Sequence, residues 1–185
     1  MRKIGLGAGL TVAALMALAG CAEQKTAPPP PPLDGLLAFK DAARCQPAPD
    51  LLRLTTSVVK FEGSPLELTV LPAAPQVPEA YRSQVGEPDV EMNGDTYRAT
   101  VPLTGTWRGL KVRQIAVGGW MGYGNRLWVG FDAPFEDVLR EANAAGFKLG
   151  GQGRRVDTSG PPGVKVTIAV ERDSADGAVL SCAIE

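Results

Sequence analysis

The 185-residue chain contains no histidine. Ser-His-Asp and Cys-His nucleophile systems, His-ligated zinc and a near-neutral histidine base are therefore excluded. The residues with recognition chemistry are aromatic: Trp107, Trp120, Tyr123 and Trp128. Two of them sit in the glycine-rich stretch Gly118-Gly119-Trp120-Met121-Gly122-Tyr123-Gly124, with Arg108 and Arg126 close by in sequence. Aromatic rings offer a wide contact area at small entropic cost, as recognition surfaces require. Trp120, Tyr123 and Arg126 are thus the candidate contact residues. The competing reading folds Trp120 and Tyr123 back over the sheet edge and places Trp107 and Trp128 in the core.

Other spacings carry less. Ser57-Val58-Val59-Lys60 matches the S-x-x-K of penicillin-binding enzymes, where lysine keeps serine nucleophilic. The intervening β-branched valines read instead as the start of a strand, and no S-D-N or K-T-G partner follows. Asp89-Val90-Glu91-Met92-Asn93-Gly94-Asp95 resembles the opening of an EF-hand loop, but position 12 is Thr100 rather than a bidentate glutamate. A hairpin turn at Asn93-Gly94 accounts for the same residues, and Glu87, Asp89 and Glu91 read as the solvent face of a strand. Gly150, Gly151 and Gly153 precede Arg154 and Arg155 without opening a helix, so the phosphate-binding dipole is missing and a surface loop is expected. Paired carboxylates could hydrolyse glycans without histidine, but no spacing selects a pair. No metal or cofactor is expected.

The amino terminus is more specific. Arg2 and Lys3 precede an uncharged apolar run from Ile4 to Gly20, the pattern of a secretory signal. It ends on Leu18-Ala19-Gly20-Cys21, which resembles the lipobox of bacterial lipoprotein precursors. The resemblance covers only these first residues. It implies a diacylglycerol on the Cys21 sulfur, cleavage before Cys21, acylation of the new amino group, and membrane attachment through that lipid. Several acyl chains anchor far better than one, at about 0.8 kcal/mol per buried CH₂. Ala22 rather than aspartate follows the cysteine, which under the enteric sorting rule implies the periplasmic face of the outer membrane.

Without Arg2 and Lys3 the chain carries 17 basic and 20 acidic side chains, so no nucleic-acid surface is expected. With Cys21 committed to lipid, Cys45 and Cys182 form an even pair in an oxidising compartment and read as a disulfide tying the first helix to the last strand. Two buried free thiols are the alternative.

The elements around these residues can be read from periodicity. The eleven residues from Ala22 to Pro32, with prolines from Pro28 to Pro32, form a polyproline II spacer of up to ~34 Å. Asp34 is placed to cap a helix through Leu36, Leu37, Phe39, Lys40 and Ala43. Pro49 and Asp50 open a second apolar turn at Leu51, Leu52 and Leu54. Val58 to Phe61 and Leu66 to Val70 are β-prone, and Glu79 to Val85 suits a helical turn.

Beyond Asp89 strands dominate: a type I′ turn at Asn93-Gly94, a return strand from Tyr97 to Leu103, and a strand through Leu110, Val112, Ile115 and Val117. The phase change after Gln114 calls for a bulge or for burial on both faces. Leu127, Val129 and Phe131 share one face of the next strand. Phe135, Val138, Leu139 and Ala142 at i, i+3, i+4 and i+7 predict a helix closed by Gly146. Val164 to Val170 alternates as a strand. Asp176-Gly177 turns into a last strand with Leu180, Cys182 and Ile184 on one face. The expected fold is α+β, an antiparallel sheet with helices packed on one side. Residues 1–20 would be the lipoprotein signal peptide, 21–32 the lipidated cysteine and proline-rich tether, and 33–185 a single domain.

Function follows only coarsely. The expectation is a lipid-anchored envelope module, non-enzymatic, binding an envelope protein or a peptidoglycan component. A histidine-free carboxylate hydrolase and a purely structural lipoprotein are the alternatives.

Overall fold

The computed structural model describes residues 31–63, 69–120, 123–173 and 177–185. The expected signal peptide, Cys21 and most of the tether lie outside the described residues. So do Leu66 to Leu68 of one expected strand and Asp176 of the last expected turn.

Alternating apolar residues in the second half of the chain build one antiparallel sheet. Its seven strands are β5 (Asp89–Asn93), β6 (Thr96–Trp107), β7 (Leu110–Trp120), β8 (Tyr123–Phe131), β9 (Arg154–Asp157), β10 (Val166–Arg172) and β11 (Ala178–Ile184), in the spatial order β5-β6-β7-β8-β11-β10-β9. Two short ladders flank it: β1 (Phe39–Asp41) with β2 (Gln46–Pro47), and β3 (Val59–Glu62) with β4 (Thr69–Pro72). The described α-helices are short, α1 (Pro49–Ser57) and α2 (Phe135–Ala144). The domain is thus mostly antiparallel sheet with few helices, around one core. That core joins Leu33, Leu36 and Leu37, Leu51 and Leu54 of α1, Val138 and Ala142 of α2, and the inward rows of the sheet. No described helix is long and apolar enough to cross a membrane.

The expected helix from Asp34 does not form. A single turn closes on Leu37 N–H to Leu33 O (2.8 Å), then β1 and a 3₁₀ turn at Ala42–Arg44 follow. Distant partners outcompete the local helix. Leu33 N–H donates to Thr106 O (2.7 Å) and Ala48 N–H to Ala38 O (3.0 Å). The Asp34 carboxylate accepts the Arg108 backbone N–H (3.0 Å) instead of capping its own segment. Cys45, left-handed at φ 52°, closes the 3₁₀ turn. It is bonded to Cys182 with Cα atoms 5.9 Å apart, so the bridge ties that turn, rather than an α-helix, to β11.

Other elements follow the expected periodicities. α2 ends before Gly146 (φ 97°), and β7 breaks register with β8 between Val112 and Gln114, where a bulge was called for. Two turns differ in detail. Asn93 pairs with Thr96, so the loop is Gly94-Asp95 with positive φ on Gly94 alone, as a type II′ turn requires rather than type I′. Trp107 pairs with Leu110 around Arg108 (φ 50°) and Gly109 (φ 82°), the two positive φ values of a type I′ turn. Arg154 and Arg155, expected in a surface loop, belong to the edge strand β9.

Candidate functional site

Directly paired residues of an antiparallel sheet share a face, and alternate residues point to opposite faces. Ala99, Val101, Ile115, Val117, Val129, Leu180 and Cys182 are buried on the core side. Between them, Thr100, Ala116, Trp128 and Ser181 form one row of the opposite face, and Arg98, Gly118 and Arg126 form the next.

Small residues make this second face concave. The Trp128 ring lies across Gly118: a Cβ on Gly118 would stand 3.3 Å from Trp128 Cζ3 and would collide with the Tyr97 carbonyl oxygen. On one side Arg98 stacks on the Trp128 ring, 5.1 Å from its centroid. Among the described residues no carboxylate comes within salt-bridge distance of Arg98. On the other side Arg126 reaches Glu185 (3.3 Å), which also holds Lys165 (3.0 Å). A hydrogen bond from Lys165 leads in holding the Glu185 carboxyl below its ordinary value, so it stays ionised. Two residues beyond Gly118 on β7, Trp120 is 52% exposed. These side chains line an open trough of about 900 Å³, bordered by Glu91 and Asn93 on β5 and by Val164 and Glu185 at the far wall.

The trough and the amino-terminal entry lie at opposite ends of β6. Gln84, buried, donates from Nε2 to Pro31 O (3.0 Å) and Thr104 O (3.1 Å). These contacts, with Leu33 bonded to Thr106, pin the start of the domain near Trp107. Trp120 pairs with Thr96, about ten residues or ~30 Å along the strand.

The chain matches no family model, no curated protein and no solved structure. Geometry therefore carries the functional argument. Of the residues singled out by sequence, Trp120 and Arg126 meet in the trough. Tyr123 pairs with Trp120 through the backbone, and its side chain lies outside the described residues. Trp107 is buried against Phe131 (centroids 5.6 Å).

The sequence does not single out Arg98, and it names Trp128 among the recognition aromatics; the competing reading, which puts Trp107 and Trp128 in the core, holds for Trp107 and not for Trp128. The available signal was parity: Trp128 lies between Leu127 and Val129, which were already assigned to the inner face.

The catalytic spacings dissolve. Ser57 ends α1, with its hydroxyl donating to Leu54 O (3.0 Å) and accepting from Gln76 N–H (2.8 Å). Lys60 lies in β3, paired with Glu62 (2.8 Å). Asp89, Glu91 and Asn93 alternate along β5, and Asp89 pairs across the ladder with Thr100. No described group of three acids or cysteines is placed to hold a metal ion.

Carboxyls displaced from their ordinary values, at Asp132, Glu136, Asp157 and Glu185, are all displaced downward. Hydrogen bonds lead in each case, from Lys111, the Glu136 backbone, Ser159 and Lys165 respectively. A glycosidase general acid needs the opposite displacement.

A second concavity of about 370 Å³ lies between α1 and the core side of the sheet, beside the disulfide. Leu52, Phe61 and Ile184 are exposed along it, and the hydroxyls of Thr55 and Thr56 are spent on Leu52 O. It is an apolar crevice with little chemistry to offer.

Proposed function

We propose that this protein is a lipid-anchored cell-envelope module that binds, rather than transforms, an envelope partner through the Trp120–Trp128 face of its sheet. The partner is an envelope protein or a cell-wall component. In this reading Cys21 carries the lipid, residues 22–32 are the tether, and the domain stands at the periplasmic face of the outer membrane. In this reading the buried residues of α1 and α2 share the core on one side of the sheet, and the opposite face is left to solvent.

The observation that carries the proposal is that one trough is lined both by a half-exposed Trp120 and by Arg98, a cation held on the Trp128 indole instead of a carboxylate. Burial rewards neither arrangement, whereas exposed aromatics and arginines are what interface hot spots are made of. A spacer without a partner would have no use for them. The entry of the chain at the far end of β6 supports the same reading, because the tether then leaves the aromatic end clear of the bilayer.

The test is affinity capture from envelope extracts with wild type and with Trp120→Ala combined with Arg98→Ala. Capture should fall about tenfold or more, since a truncated hot spot costs about 2 kcal/mol or more. Equal capture by both proteins would end the reading.

A further inference from the structure

We infer that the free edge of β9 pairs with β9 of a second copy of this chain, antiparallel, about a two-fold axis at Val156. This goes beyond the reading of the Trp120 face and does not depend on it.

β9 ends the seven-stranded sheet, and among the described residues no strand lies on its outer side. Its hydrogen-bond parity follows from the ladder. Lys165 and Glu185 exchange both backbone bonds (2.7 and 2.8 Å), so from Lys165 onward the odd-numbered residues of β10 bond to β11. Val170 N–H donates to Gly153 O (2.7 Å), so the even-numbered residues of β10 bond to the odd-numbered residues of β9, Arg155 and Asp157. The backbone N–H and C=O of Arg154 and Val156 therefore point out of the sheet. Such an edge is a template for another strand.

Side chains decide which strand. Arg155 pairs with buried Ile168 and so lies on the core face with Asp157, to which it is bridged (2.9 Å). Val156, on the other face, is 46% exposed. Because only even-numbered residues offer edge groups, self-pairing must set even opposite even. An axis at Arg154 or at Arg155 puts that cation against its own copy, and an axis at Asp157 sets carboxylate against carboxylate. Like charges directly opposite destabilise a ladder. An axis at Val156 instead sets valine on valine and each Arg155 opposite Asp157 of the copy, an opposite-charge pair made twice. With the two bridges inside each strand, the four side chains alternate in sign around the axis. Charges that blunt the edge toward foreign strands thus select this register.

The opposite edge offers no such match. β5 carries Asp89 and Glu91 on alternate positions, so a second copy there would set acid against acid.

Four residues of strand make a small interface, below what a stable soluble dimer buries. The dimer is therefore weak in dilute solution and gains from a raised effective concentration. Its axis stands normal to the sheet, so the Trp120 faces of both copies turn to the same side.

Val156→Cys in the full-length protein, concentrated in detergent, is treated with a short bismaleimide. Across a hydrogen-bonded pair the Cα atoms stand ~5.5 Å apart, within reach of such a linker. A covalent dimer should form with a yield several-fold above that from Met92→Cys, which is exposed on β5. Unsubstituted protein supplies the background. Adding Arg155→Asp to Val156→Cys should lower the yield about tenfold, because both opposite-charge pairs become like-charge pairs. Adding Asp157→Arg as well should restore it, since each pair is then remade with its signs exchanged. Thermal melting checks folding, and the exchange variant carries the test should Arg155→Asp alone fail to fold.

Equal yields from positions 156 and 92, or a folded exchange variant that gives no dimer, overturn the pairing. A photocrosslinker at position 156 that captures a different protein in cells, and no second copy, overturns the choice of occupant.

Discussion

The Arg98 guanidinium rests on the indole of Trp128, 5.1 Å from the ring centroid, with Gly118 beneath that indole. A cation on an exposed aromatic face contributes about 0.5–1 kcal/mol. Arg98→Ala should cost about that much in urea unfolding. It should also shift Trp128 emission to longer wavelength as the ring gains water. Unchanged emission would mean that Gly118 alone positions the ring.

Gly118→Ala tests the seat of the ring. The added methyl meets the Tyr97 carbonyl and crowds Trp128, so a loss of about 1–3 kcal/mol is expected. Gly94→Ala is the control, since nothing lies within 4 Å of its Cβ and only the positive φ of 58° resists it. Its cost should be about 1 kcal/mol and leave tryptophan emission untouched. Chemical unfolding with fluorescence separates the two.

Gln84 fixes the junction with the amino-terminal segment. Gln84→Met preserves volume but strips the carbonyls of Pro31 and Thr104 of their shared donor. Its cost should be about 1–2 kcal/mol, with faster proteolysis between residues 31 and 37. A protease pattern identical to wild type would show that Leu33 holds the junction alone.

The Cys45–Cys182 bridge closes a loop with a sequence separation of 137. Replacing both cysteines by serine should lower stability by about 2–5 kcal/mol. The urea midpoint of wild type should fall to that of the variant when a reductant is added. Coincident midpoints without reductant would show that the bridge contributes nothing.

Glu185 sets a pH dependence. Its carboxyl lies below the ordinary glutamate value of 4.5, first through the hydrogen bond from Lys165 and then through the Lys165 and Arg126 charges. A lowered folded-state value adds stability above the ordinary value and loses it as pH falls through the folded one. Wild type should therefore exceed Glu185→Gln in stability near neutrality, and the gap should close in acid. Thermal melts of both proteins across pH 2 to 7, ~5 units spanning the carboxylate range, check this. A gap that persists at the acid end would contradict it.

What could be read from sequence was what depends on period. Val138 and Ala142 at helical spacing gave α2, and Ile168 and Val170 in alternation gave β10. What failed depended on partners far along the chain. Leu36, Leu37 and Phe39 look helical in isolation, yet the hydrogen bonds of this segment go to Thr106 and Ala48. β9, an edge strand of Arg154, Arg155, Val156 and Asp157, shows no apolar alternation because one of its sides has no neighbour. That Trp120 and Arg126 line one trough could be anticipated from their closeness to the glycine-rich stretch in sequence. The role of Arg98 could not, because the strand pairing that brings it beside Gly118 and Trp128 joins residues twenty or more positions apart.

The central claim is that the face carrying Trp120 meets a partner in the envelope. In-cell photocrosslinking from position 120, compared with exposed Arg82 beyond the pinned end of the domain, tests it most directly. The account expects a discrete adduct from position 120 and none from position 82. Equal yields from the two positions, or no adduct from position 120, would contradict it.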